Sequence, residues 1–79
     1  MDDAELKTVL VLSRDEALVF FEWLTRFNAE PGKVFEDQAE QRVLWNLEAI
    51  LESTLSEPFE PAYDSRLAAA RSRLRDSSE

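Results

Sequence analysis

Leu12-Ser13-Arg14-Asp15-Glu16-Ala17 is the stretch on which the fold turns. Ser13 and Glu16 stand three residues apart, the spacing of a capping box. In that motif the serine hydroxyl accepts from the amide of the glutamate, whose carboxylate accepts from the serine's own amide. Leu12 and Ala17 occupy the positions of a hydrophobic staple, which fixes how the chain enters the helix. Asp15 and Glu16 add negative charge at the positive end of the helix dipole. A helix therefore starts at Arg14, and the residues before Ser13 do not continue it.

Upstream lies Leu6-Lys7-Thr8-Val9-Leu10-Val11-Leu12, rich in β-branched residues and readable as one strand. Its apolar residues Val9 to Leu12 fall on both faces, so both should be at least partly covered. The competing reading, a helix continuous from residue 3, is opposed by the cap at Ser13. A lone strand leaves its backbone donors and acceptors unpaired on both edges. Lys33-Val34-Phe35, the other extended candidate, is too short to cover seven residues. The expected remedy is a second copy, with Thr8, Val9, Leu10 and Val11 pairing antiparallel across a two-fold axis; the alternative is a monomer whose segment pairs with Lys33–Phe35 or lies irregularly.

Downstream, Ala17, Phe20, Phe21, Leu24 and Phe27 share one face of a helix running to about Asn28, with Trp23 on its margin. Glu22 and Arg26 form an i,i+4 pair on the other side. Ala29-Glu30-Pro31-Gly32 is a turn holding the chain's single glycine. Asp37 is the next N-cap, with Glu40 three residues on. A second helix is predicted over about Gln38 to Leu55. Ala39, Val43, Leu44, Leu47, Ile50, Leu51 and Leu55 make its wide apolar stripe, and Leu47 is expected among the most buried residues. Glu57-Pro58-Phe59-Glu60-Pro61 breaks that helix. A third helix follows from about Pro61 to Arg75, with a thin stripe of Tyr63, Leu67, Ala70 and Leu74. The expected fold is mostly α: one N-terminal strand followed by three helices, one domain over 1–79, with 1–5 and 76–79 frayed and a strand-paired homodimer.

Seventy-nine residues make one domain that buries only about 60% of its unfolded surface. No cysteine is present, so apolar side chains alone must build the core, which fits a cytoplasmic setting. The longest apolar run, Ala17–Phe21, is far short of the roughly 20 residues of a membrane span. The acidic start Met1-Asp2-Asp3-Ala4-Glu5 does not read as an export signal. Net charge is −8, concentrated in residues 1–60, and such a body repels nucleic-acid phosphate and anionic lipid. Neither nucleic acid nor membrane is therefore an expected partner.

Chemistry is thinly supplied. With no histidine and no cysteine, the usual general bases, nucleophile pairs and transition-metal sites cannot be assembled. One glycine cannot build a phosphate-cradling loop. Glu36, Asp37 and Glu40 cluster at a helix start, where acids complement the dipole without any cation. Of the third helix's Arg66, Arg71, Arg73 and Arg75, the last three suit the negative end of its dipole, and pairing with the acidic faces of the first two helices is a second explanation for the cluster. No cofactor, no metal and no catalytic residue is expected, and the chain reads as a non-enzyme.

Trp45 stands out, because it lies about 160° from the centre of the second helix's stripe, beside Arg42 and Ala49. Tryptophan ringed by polar residues is a common interface anchor; otherwise the third helix or the segment 57–61 covers it. Leu18 and Val19 lie outside the main stripe of the first helix and need cover from the strand or a partner. Trp45, Ala49, Arg42, Leu18 and Val19 are the candidate interaction surface. The run Leu44-Trp45-Asn46-Leu47-Glu48-Ala49-Ile50-Leu51-Glu52, followed by Leu55, Glu57-Pro58-Phe59, Pro61 and Tyr63, resembles a pattern in small bacterial helical proteins. The resemblance covers the second half of the chain and brings no activity with it. The expected function is a protein-interaction module that self-associates and binds a protein partner. The alternative is an acidic inhibitor mimicking nucleic acid, which a linear ridge of carboxylates on one face would favour.

Overall fold

In a computed structural model of the chain, residues 6–76 are described. Three helices account for most of them: α1 over Arg14–Ala29, α2 over Gln38–Thr54 and α3 over Tyr63–Asp76. A single 3-10 turn, Glu57–Phe59, lies between α2 and α3.

The cap at Ser13 forms as its spacing requires. The Glu16 amide donates to Ser13 Oγ at 3.0 Å, and the Ser13 amide donates to Glu16 Oε1 at 2.9 Å. Ser13 itself is extended (φ −67°, ψ 164°), so the chain changes conformation there and α1 cannot run back toward the N-terminus. At the other end the Glu30 amide donates to the Phe27 carbonyl at 3.1 Å. Pro31 cannot continue a helix, and Gly32 takes φ +75°, a conformation costly for any residue with a Cβ. Asp37 caps α2 by accepting from the Ala39 amide at 2.7 Å. Glu40 reaches the amide of Glu36 at 2.9 Å, one residue earlier than a capping box would use. The third helix starts two residues later than predicted. Pro61 and Ala62 form a turn, closed by the Tyr63 amide on the Glu60 carbonyl at 3.1 Å.

α1 lies between the other two helices, and both run antiparallel to it. Asp15, near the start of α1, meets Arg73, near the end of α3, while Glu22 meets Tyr63 at the α3 start. On the other side Asn28, near the end of α1, donates to Glu48 Oε1 at 2.7 Å and to the Leu44 carbonyl at 3.3 Å. Ala17 shares a groove with Leu51 and Leu55 at the far end of α2. Ala17, Leu18 and Phe21 of α1 cluster with Leu55, Leu67 and Ala70, with Leu12, Val19, Leu51 and Tyr63 packed around them. Leu24 is the large side chain buried without remainder.

Three expectations need correction. Residues 6–12 and 33–35 carry no regular secondary structure, so no strand is present within one copy among the described residues. The reason is elementary: a strand exists through its ladder, and no backbone hydrogen bond joins 6–12 to other described residues. Leu47 is half-buried, not central, and α2 contributes no buried residue within its span. Among the described helices α1 is the one that packs broadly on α2, and Val43 and Ile50 on one flank of the wide stripe stay exposed. The third helix continues through Asp76, where fraying was expected, while residues 1–5 and 77–79 lie outside the described residues.

Candidate interaction surface

Ionic and polar contacts hold α3 and the 3-10 turn on α1. Arg73 donates to both carboxylate oxygens of Asp15, Nε to Oδ2 at 2.6 Å and Nη2 to Oδ1 at 2.8 Å. This two-bond clamp holds the Asp15 carboxyl below its ordinary value, the hydrogen bond acting more than the charge. Arg14 Nε pairs with Glu57 at 3.1 Å, and Arg66 Nε with Glu60 at 3.2 Å. Arg14, Arg66 and Arg73 thus line a cleft between α1 and α3 whose charges are matched by Asp15, Glu57 and Glu60. The Tyr63 hydroxyl donates to Glu22 at 2.9 Å. Burial, then that bond and the Glu22 charge, push the phenol up to about 12.

The Asp15 shift has a defined consequence. A carboxyl depressed in the folded state contributes stability above its unfolded value, and the contribution is lost as pH falls through the folded value. Replacing Arg73 with glutamine should move the Asp15 titration, followed by carbonyl NMR, upward to the ordinary carboxylate range. An Asp15 that titrates identically in both proteins would show that the clamp does not form.

The face that carries the aromatic residues is different in character. Phe20, Trp23 and Phe27 stack along α1, with centroids 6.3 and 4.9 Å apart, and Phe35 meets Phe27 edge-on at 6.1 Å. Lys33 Nζ sits 5.9 Å from the Phe27 ring centre while donating to the carbonyls of Asn28 and Glu30. The loop 31–35 is therefore docked on α1, and Phe35 becomes one wall of an open groove. Phe35, Ala39, Glu40, Val43 and Leu44 line that groove, of about 420 Å³. A second groove, of about 290 Å³, is bounded by Leu10, Leu12 and Ala17 on one side and Ile50, Leu51 and Leu55 on the other.

No protein-family model, curated protein or solved structure matches this chain. Of the residues singled out in the sequence, Trp45, Arg42 and Ala49 are exposed together on the outer side of α2, and neither α3 nor 57–61 covers the tryptophan, which is 47% exposed. Leu18 and Val19 do not join them. Leu18 is 3% exposed, in the cluster with Leu67 and Ala70, and Val19 packs against that cluster. As a surface these two are a misreading: α3 supplies the cover they need. Thr8, Val9, Leu10 and Val11 are all exposed. Sequence reasoning missed the exposure of Val43 and Ile50 and the part Phe35 plays beside them. The signal was available: an apolar stripe from Ala39 to Leu55 spans more of the α2 circumference than one neighbouring helix can cover. Glu36, Asp37 and Glu40 serve the α2 start, and no cluster of three or more metal-binding side chains occurs among the described residues. No helix among them is long and apolar enough to cross a membrane.

Proposed function

We propose that this chain is a non-catalytic interaction module that self-associates, with Leu6–Leu12 as its pairing segment. The observation that carries the reading is the state of that segment in a single copy. Val9 and Val11 are 84% and 86% exposed, and Leu6 and Leu10 are also largely in solvent. Single exposed apolar residues are ordinary, but several within one seven-residue stretch of β-forming sequence are not. Pairing with a second copy satisfies the backbone and covers the side chains in one step. The charged cleft between α1 and α3 supports a non-catalytic role, since Arg14, Arg66 and Arg73 each face a carboxylate there and the Asp15–Arg73 pair ties α3 to α1. The acids are also scattered over partners and caps: Asp15, Glu57 and Glu60 face arginines, Glu48 faces Asn28, and Glu16 and Glu40 hold helix starts. That scatter favours an interaction module over a nucleic-acid mimic.

Sedimentation equilibrium across micromolar concentrations tests the reading. A mass of twice 9.1 kDa is expected. Replacing Leu10 with proline, which removes a ladder donor, should return the mass to 9.1 kDa with the helical signal unchanged. A parent protein of 9.1 kDa at every concentration overturns self-association.

A further inference from the structure

We propose that the uncharged flank of α2, between the side that meets α1 and the side that carries Trp45, seats a second copy of this chain, the two helices packing antiparallel about a two-fold axis beside Asn46 and Leu47. The inference rests on the self-association just proposed and gives it a second, separate surface.

At 100° per residue, Ala39, Val43, Asn46, Ile50, Ser53 and Thr54 fall within about 100° of the α2 circumference, beside the face that meets α1. All six are exposed, Val43 at 56% and Ile50 at 50%, and none is charged. That is unusual in a chain with 33% charged residues and a net charge of −8. A basic partner drawn to this acidic body would seat where the carboxylates are. A second copy, with the same net charge, can approach closely only where neither surface carries charge.

The pattern is also self-complementary, as a two-fold interface requires. Val43 and Ile50 stand seven residues apart, with Asn46 and Leu47 between them. Reversal about that midpoint sets Val43 of one copy against Ile50 of the other, β-branched against β-branched. Asn46 comes beside its own mate, where each amide can donate to the other's carbonyl oxygen. On the rim, Arg42 falls beside Ala49 and Ser53, and Glu40 beside Thr54, so no like charges meet. Continuity adds a third argument. Leu10 and Ile50 line one groove, so the pairing segment leaves the domain at the edge of this face. A specific dimer buries about 1,200–2,000 Å² in total, more than a seven-residue ribbon supplies, and the α2 face is the adjoining apolar area.

Charge exchange across the axis tests the proposal, because Val43 and Ile50 are exposed and their replacement leaves the core intact. Val43→Lys alone and Ile50→Glu alone should each weaken self-association at least tenfold in sedimentation, with unchanged helical circular dichroism. Mixed together, the two variants should recover a dimer close to the parent affinity. The introduced lysine of one copy then meets the introduced glutamate of the other, while the remaining Ile50 still meets the remaining Val43. Raising sodium chloride should strengthen the parent dimer by screening the repulsion between the two bodies. If both charge variants dimerise like the parent while Leu10→Pro is a monomer, the α2 seat is overturned and strand pairing stands. If each variant is weak and the mixture stays weak, the antiparallel two-fold is overturned. A parent of 9.1 kDa throughout overturns both proposals.

Discussion

Leu24→Ala should destabilise the chain by about 2–5 kcal/mol, the range for large-to-small changes at sites that cannot collapse. Leu24 is the large side chain with no exposed surface, and it sits on the central helix, so the cavity opens where neighbouring elements have least freedom to close it. A domain of this size has a total stability of roughly 4–12 kcal/mol, scaled from the usual value per residue. The variant should therefore melt roughly 10 °C or more below the parent, followed by circular dichroism. Leu47→Ala, at a half-buried position on α2, should cost clearly less. If the order is reversed, α2 and not α1 carries the core. The comparison is best made at one protein concentration, since any self-association adds stability that depends on concentration.

How much of this was readable in the sequence depends on whether the deciding interaction was local. Ser13 with Glu16, Asp37 with Ala39, and the Pro31-Gly32 turn act over two to four residues, and each placed its helix boundary within a residue or so. Which stripe becomes the core is a long-range matter. The α2 stripe is the wider and more regular, yet α1 is the central helix, because α3 docks on α1 through Leu67 and Ala70 and meets α2 little. Periodicity measures how apolar a face is and says nothing of how many neighbours it receives. The same limit applies to Leu18 and Trp45. Each lies off its helix's main stripe, but α3 covers Leu18 and nothing covers Trp45 to the same degree. The sequence placed Arg42, Trp45 and Ala49 together on one side of α2 but left open whether α3 or 57–61 covers the tryptophan, and its exposure is decided by α3 docking on α1 instead. The exposure of Val43 and Ile50 was not legible, because it follows from α3 docking on α1 and not on α2 among the described helices.

Ala70→Leu should lift α3 from α1 and cost about 1–3 kcal/mol, the usual penalty for adding carbons to a filled contact. The sequence offers three consecutive alanines, and the structure distinguishes them: Ala70 is fully buried between the helices, while Ala68 and Ala69 are exposed. Ala68→Leu is therefore the control, expected within about 0.5 kcal/mol of the parent. The chain contains one tyrosine, and it reports on this contact directly. Burial against α1 and the bond to Glu22 push Tyr63 up to about 12. A phenol raised in the folded state contributes stability that is complete below its unfolded value, near 10, and is lost as pH rises through the folded one. Ultraviolet titration of the phenolate should therefore give a midpoint near the raised value in the parent and in Ala68→Leu. In Ala70→Leu the midpoint should fall toward that of free tyrosine, at a pH where α1 retains its helical signal. A drop in melting temperature with no movement of the Tyr63 titration would mean that leucine is accommodated beside a still-docked α3. Ala70 would then fill space without setting how closely the two helices approach.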